Sequence, residues 1–596
     1  IFLMGLQFVD SVKKTNFFKP RKAALSFKLD PGFLSNQEKA VRPFALFYLY
    51  GRRFKGYHVR FQDISRGGVR IVRSHTREEY LKNSDENFLE VFNLAYTQEK
   101  KNKDIPEGGS KGIILPYYTE SDTDLFFRNY IDAMLDLMLK DRNIITSYDP
   151  STDLIFLGPD EGSGHLVDWA SLRAKERGYI YWRAFTTGKS SGQGGVSHID
   201  YGMTTAGVHQ YVLDLLERMG LKEENVTKVQ TGGPDGDLGS NEILASRDRT
   251  IAVIDGSGTA YDPQGLNRNE LKRLAGLKKP IVFFNKFKLA RQGFVYSIKD
   301  RNIRVLGKIF KTGIELRNEF HFLVSADLFV PAGGRPKAVN ISNWQSMLLP
   351  DNKPRYKMIV EGANLFITQD ARIKLENSGV IIIKDSSANK GGVTSSSLEV
   401  LVSMLLENRE FEKLMCVKQG REPEFRRQYI RDILALIRLN ADREFNLLWE
   451  ERTLSQKPIS LISDSVSGMI VRMTNSVKKS GLISNKKISD EYLERFVPSM
   501  LRERVSRQKL IQRLPENYRR SVVAREIARE FVYKMGITWT RNILQNYKTD
   551  EAGLIRAYLK AAEDVDQSAR RNKVHDPDLL RYLNAAKKDL TIKKLK

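Results

Sequence analysis

The spacing of apolar and polar residues changes rhythm along the chain. Residues 23–29, 44–50 and 57–61 are rich in aromatic and branched side chains and are broken by Gly and Asp, which predicts strands. His58 falls within the third and is read as a strand residue with a satisfied partner. Residues 76–101 predict a helix, with Thr76 as cap, Glu78 and Glu79 in the first turn and lysines at the end. A strand at 112–116, an amphipathic helix at 125–139 and a strand at 153–157 follow. From about 205 the order becomes helix (205–219), strand (225–230), glycine turn (231–240), short helix and strand (250–254). Buried-type strands at 323–330, 357–360 and 380–383 each lead to Gly- or Asn-rich ends. Alternation of this kind marks a doubly wound sheet with its ligand along the strand ends. Beyond 398 the pattern is helical (398–407, 424–449, 490–514), without a sustained heptad, and 452–488 reads as a loose linker of Ser, Pro, Gly and Lys.

Length and composition narrow the possibilities. A chain of 596 residues with 41% apolar and 28% charged residues has the balance of a globular protein of several domains. Its 97 Lys and Arg against 72 Asp and Glu give a net charge of +25, which suits an anionic substrate, a nucleic acid or an acidic membrane surface. The charge is diffuse and no nucleic-acid motif is present, so no nucleic-acid partner is expected. Residues 501–530, with nine Lys or Arg against four Asp or Glu, are expected to form a solvated helical face. The single cysteine, Cys416, rules out a disulfide within the chain and a Cys-based metal site, and fits a reducing interior. The seven histidines show no metal-ligand spacing, so no metal is expected. No run of about 18 apolar residues occurs, so no membrane span is expected. The chain starts at Ile1 rather than Met, which we read as a native N-terminus lying further upstream.

Candidate chemistry lies where cations alternate with glycine. Arg66-Gly67-Gly68-Val69-Arg70 and the stretch from Lys100 to Gly112 are read as basic glycine loops. Arg offers a planar fork for a carboxylate, Lys a point charge, and Gly close backbone approach, which together suit a small anion. Two solvated basic turns are the plainer alternative. Asp160 sits in a glycine-rich turn at a strand's C-terminal end, as a reactive carboxylate or as an Asx turn or helix cap. The 231–240 turn has the outline of a dinucleotide site, with phosphate over a helix N-terminus and an acid after the next strand. Gly236 and Gly239 supply the second half of that fingerprint, Pro234 stands where its first Gly belongs, and Asp255 follows Gly239 by 16 residues.

Taken in order, Arg66-Gly67-Gly68-Val69-Arg70, Pro106-Glu107-Gly108-Gly109-Ser110-Lys111-Gly112, Gly158-Pro159-Asp160, Thr187-Gly188-Lys189, Glu361-Gly362-Ala363-Asn364 and Asn389-Lys390-Gly391-Gly392-Val393 resemble the glutamate, leucine, phenylalanine and valine dehydrogenase superfamily. Residues 103–112 and 230–242 are similar to its large-subunit NAD-specific glutamate dehydrogenase branch of fungi and protists. The resemblance covers roughly residues 40–410. It implies an α/β, two-domain amino-acid dehydrogenase: a mixed-sheet substrate domain over 1–205, a Rossmann-like NAD domain over 206–395, helices returning to the substrate domain over 396–480, and a helical C-terminal extension over 481–596. By the same resemblance, Lys111 is the catalytic lysine and Asp160 the proton shuttle. Lys101 holds the α-carboxylate, with Lys100 as the alternative. Arg66, where the family usually has Lys, and Ser396 meet the side-chain carboxylate. Asp255 meets the adenosine ribose and Asn389 the nicotinamide ribose. Gly233, Gly236, Gly239, Asn364 and Thr204 or Thr205 complete the cofactor side.

The implied reaction is NAD-dependent oxidative deamination of L-glutamate to 2-oxoglutarate and ammonium. A lysine among other cations can activate water for attack on an imine, and an aspartate can carry the amine proton. Two carboxylates need two cationic or hydrogen-bonding clusters, whereas a leucine enzyme would need an apolar floor in place of Arg66 and Ser396. The charge of Asp255 would repel a 2′-phosphate, which favours NAD over NADP. Two other functions compete: a different amino-acid dehydrogenase of the superfamily, or a basic nucleic-acid- or partner-binding protein with a decayed site. A homo-oligomer is expected from the resemblance. A soluble intracellular location is expected, in the mitochondrial matrix or the cytoplasm, the former favoured.

Overall fold

A mixed eight-stranded sheet is built from residues 12–158. The computed structural model describes residues 2–34, 41–139, 141, 145–149, 153–160, 162–572 and 577–595; Ile1 and Glu161 lie outside the described residues. The strands are β1 (Val12–Thr15), β2 (Leu25–Leu29), β3 (Ala45–Tyr50), β4 (Phe54–Arg60), β5 (Ile64–Ile71), β6 (Gly108–Pro116), β7 (Thr146–Ser147) and β8 (Leu154–Gly158), in the order β7-β1-β2-β3-β4-β6-β5-β8. The meander β1–β4 and the β4–β6 pair are antiparallel, while β5 lies parallel to both β6 and β8. Alternate strand residues point to opposite faces, so each face needs its own cover. On one face Phe47, Val69, Ile71 and Ile114 pack against Phe127, Tyr130 and Met134 of the Thr123–Met138 helix. On the other, Val59, Phe61 and Ile113 pack against Val91 and Ala95 of the Arg77–Lys101 helix. That helix is capped by Thr76, whose hydroxyl accepts from Glu79 N at 3.1 Å. His58 is fully buried, with Nδ1 3.0 Å from the Tyr130 hydroxyl.

The two glycine-rich motifs, expected as loops, are strand. Arg66-Gly67-Gly68-Val69-Arg70 lies inside β5, and β6 begins at Gly108, four residues before the strand expected from 112. The missing side chains allow the contact. A Cβ on Gly67 would overlap the Ser110 carbonyl, and one on Gly109 would overlap backbone atoms of Ala95 and Glu99 in the helix.

The second sheet has the order β12-β11-β10-β9-β15-β16-β17. Its parallel core is β9 (Thr227–Thr231), β10 (Arg249–Ile254), β15 (Ala326–Pro331), β16 (Tyr356–Val360) and β17 (Ile381–Ile383). The edge strands β11 (Gly258–Tyr261) and β12 (Phe294–Ser297) run antiparallel, and β13 (Arg301–Val305) with β14 (Lys308–Thr312) makes a separate hairpin. An α/β chain with one mixed and one mostly parallel sheet was expected, and this is what forms.

Three expectations fail in the helical half. The segment 452–488 is no linker: Ile459–Lys479 is a 21-residue helix that buries Ile462, Val466, Met469, Ile470, Met473 and Val477. That spacing is a helical stripe, obscured by the serines and lysines between its members. The single helix expected at 490–514 is three: Lys486–Phe496, Ser499–Arg502 and Arg507–Arg513. Pro498 cannot continue the first, and Ser506 caps the third. Nor does the basic stretch 501–530 form one solvated face: Arg502, Arg504, Arg507 and Lys509 are exposed, but the later cations turn inward. Arg513 bonds Leu405 O and Glu407, Arg525 donates to Asn102 O at 3.2 Å, and Arg529 bonds Asn440 and Glu526.

The Arg525 contact belongs to a buried polar junction around residues 102–107. Lys103 Nζ lies 2.9 Å from Glu444 and donates to Ser387 Oγ and Ser463 Oγ at 3.1 and 3.2 Å. Lys390 pairs with both Glu444 and Asp104, and the Tyr533 hydroxyl donates to Asp104 at 2.8 Å. Burial alone would raise the Glu444 carboxyl, but Lys103 and Lys390 hold it down to about 2. Removing one member of a buried ion cluster strands the others. Glu444→Leu should therefore destabilise the chain by about 3–5 kcal/mol in urea unfolding, and a loss below about 1 kcal/mol would contradict this account. The folded-state pKa is depressed, so the Glu444 contribution is present above the ordinary value of 4.5 and is lost as pH falls from there toward 2.

Candidate active site

The middle of β5 and the C-terminal end of β8 face the C-terminal ends of β9, β15 and β16 across a cleft of about 1430 Å³. From the first sheet, Arg66, Lys101, Lys111 and Asp160 line it; from the second, Gly232, Gly236, Gly239, Ala332, Gly333, Gly362, Asn364 and Asn389 do. Thr204 and Thr205, on the Met203–Arg218 helix, border both sets.

Each polar group is placed by its element. Arg66 points from β5 into the floor, only 6% exposed, and Nη2 donates to Ser396 Oγ at 2.5 Å. Among the described residues its Nε is buried without a partner. Burial pulls this guanidinium down to about 10, against the opposing charges of Glu107 and Glu399. Lys101 ends the Arg77–Lys101 helix and is buried. Burial lowers its ammonium to about 8; Arg66 pushes the same way and Asp385 opposes. Lys101 Nζ donates to Asn364 Oδ1, which also accepts from Asn389 Nδ2 at 2.8 Å. One amide oxygen thus joins a cation of the first sheet to the strand ends of the second. Lys100 does not line this cleft; it pairs with Asp464 at 3.3 Å. Lys111 on β6 and Asp160 after β8 form an ion pair, with Arg70 Nε 4.0 Å from the other Asp160 oxygen. The bare backbone of Gly68 leaves room for that carboxylate, since a Cβ there would lie 2.8 Å from Asp160 Oδ2.

The second wall is a turn shaped for a close-lying anion. Gly232 has φ +88°, and a Cβ on it would come within 2.6 Å of Gly333 N, so β9 and β15 close up at their ends. The turn opens the Asp237–Ala245 helix, whose first N–H groups point to the cleft as helix starts do. Small residues and free N–H groups fit a pyrophosphate there, and Asn364 and Asn389 fit an adjoining ribose. Pro234 contributes no N–H. Gly233 and Asp255 do not line the cleft. Asp255 lies beneath Gly233 and accepts from Ser257 N at 2.8 Å and Ile281 N at 2.7 Å, while burial raises its carboxyl. Ser396 is also outside the lining and reaches the cleft through Arg66. Among the described residues no cluster of three His, Cys, Asp or Glu is placed to hold a metal. Among them, too, no helix is long and apolar enough to cross a membrane.

Several lining residues carried no role in the sequence. Lys189, of the Thr187-Gly188-Lys189 motif, pairs with buried Glu399 at 2.6 Å. Glu399 also accepts from Gly188 N and Val196 N, pinning the 186–196 loop to the Gly391–Leu405 helix. Glu399 follows Ser396 by three positions, the helical spacing that could have flagged it. His198 lies 2.9 Å from Ser396 Oγ and belongs to no motif.

Residues 194–432 match the family described as Glutamate/Leucine/Phenylalanine/Valine dehydrogenase. Glutamate dehydrogenase 2 of Dictyostelium discoideum is 46% identical over 541 residues, covering 90% of this chain and 52% of that protein. The NAD-specific glutamate dehydrogenase of Saccharomyces cerevisiae is 41% identical over 549 residues, 89% of this chain and 50% of that protein. The chain spans about half the length of the curated relatives it matches. The crystal structure of Plasmodium falciparum glutamate dehydrogenase shares the fold, with a TM-score of 0.50 and 18% identity over 75% of this chain and 82% of that one.

The lowered ammonium of Lys101 makes a prediction independent of turnover. Glutarate, with two carboxylates and no amine, should bind with an affinity that is flat below pH 8 and falls about tenfold per pH unit above it as Lys101 loses its proton. Lys101→Arg should remove the break. Calorimetric affinities that stay level to pH 10 in the unsubstituted chain would contradict the assignment.

Proposed function

We propose that this chain, whose residues 194–432 match the Glutamate/Leucine/Phenylalanine/Valine dehydrogenase family, belongs to that family and catalyses the NAD-dependent oxidative deamination of L-glutamate to 2-oxoglutarate and ammonium. One observation carries this: two buried cations, Arg66 and Lys101, flank the Lys111–Asp160 pair on a cleft whose opposite wall is a glycine turn at parallel strand ends. The relatives named as NAD-specific glutamate dehydrogenases support the same choice.

In this proposal Arg66 holds the side-chain carboxylate and Lys101 the α-carboxylate, fixing Cα between them. The turn at Gly232, Gly236 and Gly239, with Asn364 and Asn389, would hold NAD, and Asp255 supports that turn from beneath. NAD supplies the two-electron acceptor when bound. Asp160 takes a proton from the substrate amine. Lys111, paired with Asp160, directs water to the imine carbon and steadies the charge that develops there. Asp160 then returns a proton to the departing ammonia. The charged floor disfavours leucine, because burying its side chain would desolvate Arg66 further without giving its guanidinium a carboxylate to bond. A homo-oligomer belongs to the same proposal.

NADH formation at 340 nm should therefore be far faster with glutamate than with leucine. Lys111→Ala should lower kcat by about 10²–10⁴-fold with the protein still folded. Arg66→Ala should chiefly remove the preference for glutamate. Faster NADH formation with leucine than with glutamate would refute the dicarboxylate assignment.

A further inference from the structure

The floor of the cleft contains a hydrogen-bond chain that runs from Arg66 through Ser396 to His198. Arg66 can only donate, having no acceptor atom. Its Nη2 donates to Ser396 Oγ at 2.5 Å. Ser396 has one proton of its own, and the second neighbour of its oxygen is His198 Nε2 at 2.9 Å. Ser396 is fully buried, and among the described residues its hydrogen-bond neighbours are Arg66 and His198: either its proton goes to a bare His198 Nε2, with the ring proton on Nδ1, or Arg66 and a protonated Nε2 share its two lone pairs. The ring is half-buried, lines the cleft and sits where Gly392 leaves space: a Cβ there would lie 3.3 Å from His198 Nδ1. Burial draws its pKa down to about 4, with Arg66 pushing the same way and Glu399 opposing, so a neutral ring is the stable form.

We propose that His198 is a positioning residue for the substrate side chain: by taking the Ser396 proton it turns a Ser396 lone pair to Arg66 and fixes the guanidinium at the far end of the cleft. This rests on the function proposed above. In this arrangement Ser396 gives its proton to His198 in the substrate-free chain. It acts on the substrate through Arg66, whose unpartnered Nε stays buried beside the cleft. A fixed guanidinium binds a carboxylate without first losing rotamer freedom.

The test joins a structural and a kinetic readout on the whole chain. Nitrogen-15 NMR of histidine-labelled protein, with the His198 signals identified from H198Q, should show a protonated Nδ1 and a bare Nε2 at pH 7. S396A should abolish that preference. In NADH-formation assays H198F should raise KM for glutamate about tenfold with kcat changed by less than about twofold, and H198Q, which keeps an acceptor, should restore KM. The H198F/S396A double variant should be no worse than S396A alone. A protonated Nε2 in the unsubstituted chain, or additive effects in the double variant, would overturn the proposal. A chain that makes no NADH from glutamate would instead refute the proposed function, and the NMR result would still decide the proton positions.

Discussion

Two parallel strands touching backbone to backbone set the geometry on which the cleft depends. Because Gly67 has no side chain, β5 lies directly against the Ser110 carbonyl of β6. Gly109 lets β6 press against the Arg77–Lys101 helix in the same way. Three cations then emerge from adjoining backbones: Arg66 from β5, Lys111 from β6 and Lys101 from the helix end. Like charges brought together repel, and burial adds to the penalty. The fold offsets this with acids placed around the group: Asp160 at Lys111, Asp385 near Lys101, and Glu107 and Glu399 near Arg66.

The helices after residue 420 are part of this support. Glu444, Ser463, Tyr518, Arg525 and Tyr533 all reach residues 102–107, the segment joining Lys101 to the start of β6. The same junction takes in Lys390 and Ser387, which flank Asn389 in sequence. A buried network of this kind has few ways to rearrange without leaving a charge unpaired, so it holds the two walls of the cleft in register. What reads in the sequence as a basic appendage is, in its first helices, packed under the floor of the site.

Much of this was legible in the residues, and the failures have physical causes. Strand–turn–helix alternation after 205 predicted a parallel sheet with ligand-facing ends, and that sheet forms. Arg66, Lys101, Lys111 and Asp160, singled out by residue type and order, line one cleft. The glycine motifs were taken for loops because glycine is a poor strand former, yet here its lack of a side chain is what allows the strand contact. The Ile459–Lys479 helix was hidden by its serines, whose local preference tertiary burial overrides. Asp255 stands at the spacing of a ribose-binding acid, but its carboxylate turns into its own loop, a direction that spacing does not encode. His198 and Tyr533 were invisible because they act through partners some 200 or more positions away.

The central claim is that one cleft holds both ends of a five-carbon dicarboxylate against a nicotinamide cofactor. A crystal structure of the chain with 2-oxoglutarate and NADH, and no ammonium, tests it most directly. The account predicts one carboxylate on Arg66, the other on Lys101, and the keto carbon beside Lys111 with the nicotinamide on the Asn389 side. Electron density for 2-oxoglutarate away from Arg66 and Lys101, with NADH bound, would contradict it.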